Sequence, residues 1–442
     1  MSVDVIYFVE SVPKELDVAC IVTHMLEKSF GLRVQIASFK ADPPAWLRRT
    51  KPKLVVIPTC YAADSWGLKK HVAQWPGVPF LNLCWEELWS KANSQWKHPR
   101  DSFAREHVLH HVWGDFYKEF LTSHGVPSEL VLVNGHPGYR LYESPYREHF
   151  PTRSELARRY ELDPAKRWIL FSENYGWAFY GESNMTARVQ GGMDPALPPM
   201  LRDFCRDSLK IVLDWCRQCA EDDGVEVIIR PRPSTSLSEF QTKSEELLGG
   251  PLGNVRLIKE GMINEWILAS DVVVSSFSTT LIEAAVAGKP SYMVAPVPLP
   301  DALWSFWYDE IECLTTRESF LSACLNHRDA AAGDQRLREW AMRTFLSHGD
   351  PITNIVTTIG NICEGRLRMP APPSPDTLPA RPARFERGLL EGVLRDAWTG
   401  LQGLAARRGN IGDQDFRVFG RRDVLNRRRG WERLLSDSAV KA

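Results

Sequence analysis

Five hydroxyl side chains crowd the run DVVVSSFSTTLIEAAVAGKP, from Asp271 to Pro290, where an apolar strand gives way to an Ala-rich helix. Ser275, Ser276, Ser278 and Thr279 stand where they can cap that helix, and the free N–H groups of a helix start favour a phosphate. Glu283 follows Thr279 by four residues, so it shares its side about one turn in. A carboxylate placed there can accept both hydroxyls of a ribose. The plainer alternative is a Ser/Thr cap followed by a solvent-facing Glu. Upstream, Arg230-Pro231-Arg232-Pro233-Ser234 ends a core strand. Its prolines stiffen the turn, and its two guanidiniums suit bidentate phosphate binding, unless they are simply solvated.

Other polar groups follow strand ends in the same way. Glu173 and Asn174 lie in the loop Ser172–Trp177, which is expected to line a cleft. Glu10 follows the first strand, and Glu15 and Asp17 open the first helix. Such carboxylates can serve as a general base, or merely complement the positive end of the helix. Glu86 and Glu87 form a second acid/base candidate pair, flanked by Trp85 and Trp89. His136 sits in the loop Asn134–Gly138, near a crossover between two units.

The elements that must position these groups alternate strand and helix. Apolar runs at 4–10, 32–39, 53–60 and 78–85 are separated by helical spacing, which predicts a parallel sheet with helices on both faces. The pattern restarts with a strand at Trp168–Phe171 and continues through 225–234, 254–261, the strand that opens the run from Asp271, and 291–296. The expectation is an α/β chain of two Rossmann-like halves, 1–150 and 151–365, facing each other across a cleft. A Pro-rich linker, 366–383, leads to an amphipathic basic tail, 384–442, with a helix over 384–408.

Composition narrows the function. Hydrophobic residues make up 44% and charged residues 25%, with a formal net charge of −1. That gives no nucleic-acid footprint. The charge is segregated, however: residues 381–442 hold 14 Lys+Arg against 8 Asp+Glu. Such a tail suits an anionic membrane surface or an assembly partner, or packs as a terminal helix with a solvated face. No run of about 18 apolar residues suggests a membrane span. The N-terminus reads as a core strand, not a signal peptide. Nine scattered cysteines fit a reducing cytoplasm, and Cys216/Cys219 form a CxxC with no second pair. His107, His110 and His111 cluster without a carboxylate pattern that suggests zinc. No GxGxxG, GxxxxGK[ST], GxSxG or HExxH is present.

Two α/β halves together with SSFSTTLIEAAVAGKP resemble the GT-B fold of nucleotide-sugar glycosyltransferases. The stretches VESVPKELDVACIVTHMLEKSFGLRVQIAS, VWGDFYKEFLTSHGV, LVNGHPGYRLY, RWILFSENYGWAF and VEVIIRPRPS are similar, in that order, to bacterial capsule and lipopolysaccharide biosynthesis proteins. The resemblance covers about residues 4–365. It implies transfer of a nucleotide-activated sugar, with a Kdo- or sialic-type CMP donor suggested by the Arg-Pro-x-Pro element. Arg232 stands where that element carries His in the resembling transferases. The resemblance further implies phosphate contacts from the Ser-rich turn, ribose binding by Glu283, and no cofactor or divalent metal. Glu10, Glu15 or Asp17 is then expected to deprotonate a glycan or glycolipid acceptor. A polyol-phosphate transferase, a nucleotide-sugar epimerase and a non-catalytic scaffold subunit are the alternatives.

Overall fold

The computed structural model describes residues 2–65, 67–94, 97–190, 192–326, 335–374, 377–380, 382 and 419–441. Two six-stranded parallel sheets organise them. The first has order β2-β1-β3-β4-β5-β6, built from Val5–Val9 (β1), Val34–Ser38 (β2), Leu54–Ile57 (β3), Phe80–Asn82 (β4), Val108–Val112 (β5) and Val131–Val133 (β6). The second has order β12-β11-β10-β7-β8-β9, from Arg167–Ser172 (β7), Val225–Arg230 (β8), Arg256–Leu257 (β9), Val272–Ser275 (β10), Ser291–Val294 (β11) and Cys313–Leu314 (β12). The central strands VIYFV, LVVI and VVVS are buried throughout, because helices cover both faces of each sheet.

Strand order reverses between β1 and β3 in the first sheet and between β7 and β10 in the second. Open α/β sheets bind ligands in the crevice at such switch points. Glu10 follows β1, Glu173 follows β7 and Ser276 follows β10, so the sequence had placed its candidates at both reversals.

Two features depart from the sequence reading. The segment HVLHHV, read only as a histidine cluster, contributes β5. Burial pushes His110 and His111 down to about 4, and His110 is held by the Ala104 carbonyl at 2.7 Å. These are neutral core histidines. Cys216 and Cys219 likewise lie buried in the helix Leu197–Cys219. Among the described residues no group of three or more His, Cys, Asp or Glu is placed to hold a metal.

The second departure concerns the end of the chain. The helix Pro351–Cys363, assigned above to the second half, packs on the first helix, Val12–Phe30, through Ile352, Ile355, Val356 and Ile359. Of the readings given for the tail, the packed terminal helix is the one found. Its helix Arg421–Lys441 also lies along the first helix. Trp431 is fully buried there, stacked on His149 at 3.8 Å, and Arg428 pairs with Glu27. An apolar ring and complementary charges outweigh solvation of this basic segment. The expected helix at 384–408 lies outside the described residues. Among the described residues no helix is long and apolar enough to cross a membrane.

Candidate active site

The crevice between the sheets holds a cavity of about 130 Å³. From the first half it is lined by Pro13, Lys14 and Asp17 of the first helix, Trp85, Glu86 and Lys97 beyond β4, Trp113 after β5, and His136, Gly138 and Tyr139 after β6. From the second half come Asn264, Thr279 and Glu283. Small-molecule sites enclose roughly 300–1,000 Å³. A ligand of that size would extend beyond the closed part into the open cleft.

On the second half, the Ser-rich turn divides its labour. Ser275 is buried, and its hydroxyl donates to the Ser172 carbonyl, which ties β10 to β7. Ser278 accepts the Thr280 N–H at 3.3 Å just ahead of the short helix Thr280–Val286, whose N-cap residue, Thr279, makes no side-chain cap bond. Ser276 is buried with its hydroxyl unpartnered. Thr279 faces the cavity. One turn in, Glu283 accepts the Tyr142 hydroxyl at 2.7 Å. Burial raises the Glu283 carboxyl, while Tyr142 and Lys14 oppose the shift. Tyr142 belongs to the crossover, so this bond joins the halves at the site.

His136 is set by its loop. Gly135 adopts φ +84°, and a Cβ there would lie 2.5 Å from the Phe345 carbonyl oxygen. Only glycine lets the backbone approach so closely. That carbonyl in turn accepts the His136 N–H at 2.9 Å. The Tyr139 N–H donates to Nδ1 of His136 at 3.0 Å, which assigns the ring proton to Nε2. Burial holds the imidazole well below its ordinary range, so it is neutral near pH 7. Trp113 and Tyr139 clamp the ring at 4.0 and 3.7 Å. Nε2 meets no partner among the described residues and is left as a donor for a ligand.

The three carboxylates nominated as bases part company. Glu10 pairs with Lys40 at 2.7 Å. Glu15 folds back onto the N–H groups of Glu10 and Ser11 at 2.8 and 3.0 Å, in a buried position that pushes its carboxyl up to about 8. Neither lines the cavity. Asp17 does, and it accepts from Trp431 Nε1 at 2.9 Å and Arg427 Nη1 at 2.7 Å, both from the C-terminal helix. In the second pair, Lys97 lies 2.6 Å from Glu86 and, with Lys14 and Lys40 also near, holds its carboxyl down to about 2. Such a group is a poor proton acceptor at neutral pH. Glu87 is buried beneath the cavity wall, where it accepts the Trp113 N–H at 2.7 Å, and burial raises its carboxyl strongly.

The arginine element is corrected. Arg230 is buried, and its guanidinium donates to the carbonyls of Ile258, Lys259, Glu260 and Gly261. These bonds clasp the chain after β9, so no donor is presented to a phosphate. Arg232 lies over Gly176, where a Cβ would fall 1.6 Å from its Nη1, and its backbone N–H donates to Glu173. Glu173, buried and raised by desolvation, therefore braces two loops of the second half. Asn174 donates to the Phe277 carbonyl at 3.2 Å and steadies the Ser-rich turn. None of these four lines the cavity. Arg230→Ala is expected to cost roughly 3 kcal/mol of stability, because charged hydrogen bonds to buried carbonyls are lost. Ligand affinity of the folded fraction should not change. A ligand titration alongside denaturant unfolding separates the two effects.

The cavity also uses residues that were not singled out. Lys14, in the first helix, was not nominated, and Lys97, Tyr139 and Asn264 carry no local motif, nor does Tyr142, which orients Glu283. A cation beside nominated carboxylates was the one available signal for Lys14.

No described protein family matches the chain, and no curated protein does. Solved structures do. The wall teichoic acid polymerase TagF superposes with a TM-score of 0.55 at 12% identity, over 83% of this chain and 90% of that one. A Staphylococcus aureus MnaA–UDP complex gives 0.51 at 10%, over 85% and 100%. A protein described as a UDP-N-acetylglucosamine 2-epimerase from Listeria monocytogenes gives 0.50 at 13%, over 84% and 99%. At these identities the likeness is one of fold. The chain has the GT-B-like architecture: two Rossmann-like domains facing a cleft, with a basic C-terminal helix added.

Proposed function

We propose that the protein is a glycosyltransferase that moves a sugar from a nucleotide donor to a surface polysaccharide or glycolipid acceptor. The supporting observation is the convergence of Thr279 and Glu283 from one half with Asp17 and His136 from the other on a single cavity. Glu283, oriented by Tyr142, accepts the ribose hydroxyls. His136 donates Nε2–H to an oxygen of the bound sugar or phosphate. The acceptor hydroxyl attacks the anomeric carbon, the bond to the phosphate oxygen breaks, and the proton passes to Asp17. The nucleotide leaves with the bonding electrons. Closure of the halves excludes water and limits hydrolysis.

The donor we favour is a CMP-activated ulosonic acid of Kdo or sialic type, and the reaction needs no divalent metal or cofactor. The enzyme works in the cytoplasm at the inner face of the membrane. There Arg422, Arg429 and Arg433, all exposed on the docked C-terminal helix, face anionic lipid.

A thermal-shift panel of CMP, UDP, GDP and dTDP tests the reading, with and without EDTA. A bound nucleotide at about 100 times its Kd adds roughly 2.7 kcal/mol. A shift with CMP alone, unaffected by EDTA, is the expected result. No response to any nucleotide would sink the transferase reading. The fold likeness to a protein described as a UDP-N-acetylglucosamine 2-epimerase and to the wall teichoic acid polymerase TagF favours a second reading, a nucleotide-sugar epimerase or polyol-phosphate transferase. Epimerised sugar and free nucleotide formed without acceptor would identify the epimerase.

A further inference from the structure

The first half brings two ammonium groups to the cavity, Lys14 and Lys97. Lys97 is answered by Glu86 at 2.6 Å. Lys14 is exposed and has no side-chain hydrogen bond or ion pair among the described residues. Every carboxylate around it is already engaged. Glu10 pairs with Lys40, Glu15 with two backbone N–H groups, Asp17 with Arg427 and Trp431, and Glu283 with Tyr142. Lys14 nevertheless sits among them, since its charge is felt at Glu86, Glu283 and His136 together. Opposite stand the Thr279 hydroxyl and the Nε2–H of His136, both able to donate. Neither expected arginine lines this cavity, and Arg230 is clasped to carbonyls.

We propose that Lys14, with Lys97 beside it, seats an anionic group of the ligand, a phosphate or a carboxylate, lodged between the halves. The proposal rests on the reading of the cleft as a nucleotide-sugar site. It adds that the first half handles an anion as well as the neutral hydroxyls of a sugar. The anion has two possible sources: the donor's own phosphate, or a second anionic group on the transferred unit or the acceptor.

The test uses the full chain and its Lys14→Ala, Lys14→Arg and Lys97→Ala variants, with cytidine, CMP, CDP and inorganic phosphate as probes. Lys14 is exposed, so its variants should fold, and unfolding midpoints check this. Lys14→Ala is expected to weaken phosphate binding roughly tenfold or more, with Lys14→Arg restoring most of it. If phosphate competes with CMP, and Lys14→Ala weakens CMP but not cytidine, the seat takes the donor's phosphate. If phosphate still binds to CMP-saturated protein and Lys14→Ala removes that binding, the seat takes a second anionic group. Variants that bind every probe as the unmodified chain does would overturn the proposal, while nucleotide binding by that chain would leave the transferase reading standing. If no nucleotide binds but phosphate binds in a Lys14-dependent way, the seat stands and the transferase reading fails.

Discussion

Asp17→Asn is expected to lower transfer by about 10²–10⁴-fold, the usual contribution of a general base, with nucleotide binding unchanged. The substitution is isosteric. The amide oxygen can still accept from Trp431 Nε1, so the side chain stays at the cavity wall. Only the proton acceptor is lost, together with the charge opposite Arg427. Glu10→Ala is expected to leave turnover intact, because Glu10 answers Lys40 away from the cavity. Glu15→Gln should act through stability, since it disturbs the turn into the first helix. Single-turnover transfer with saturating donor reads the chemical step. An Asp17→Asn enzyme with full turnover would remove Asp17 from the mechanism.

Trp431→Ala is expected to destabilise the chain by about 3–5 kcal/mol, the range for deleting a large buried aromatic side chain. Trp431 is fully buried, stacks on His149 and meets Tyr146 and Phe150 at ring-centroid distances of 6.2 and 6.0 Å. Its loss also strips a donor from Asp17, itself buried. Truncation before residue 419 should cost more, because it removes Arg427 as well and leaves Asp17 without its ion-pair partner. The midpoint of denaturant unfolding measures both. A midpoint unmoved by Trp431→Ala would mean that the helix is not held where it is described.

What the sequence disclosed about this site was local. Glu283 four residues after Thr279, and His136 in a glycine-rich turn after a strand, are short-range patterns, and both residues line the cavity. The apolar runs gave away the parallel sheets, because strands covered on both faces need unbroken hydrophobicity. The missed strand β5 carries two histidines, which mask that signal. Arg230 was misplaced for a different reason. Its address at the end of β8 was right, but where its donors go depends on carbonyls 28 to 31 residues further on. The tail was the least legible part. Its basic composition allowed an anionic surface, a partner or a packed terminal helix, and no periodicity within the tail reveals that Trp431 and Arg427 will meet an aspartate 414 and 410 residues upstream.

The docking of Pro351–Cys363 and Arg421–Lys441 on the first helix sets an order of events during synthesis. The amino-terminal half leaves the ribosome first, yet one flank of its opening helix finds its partners only after residues 351–441 have emerged. Until then Leu16, Cys20 and their neighbours present an apolar face to solvent, the kind of surface that chaperones engage. A nonsense codon ahead of residue 421 would therefore injure the first helix, and a nascent chain stalled there would expose the very helix that carries Asp17.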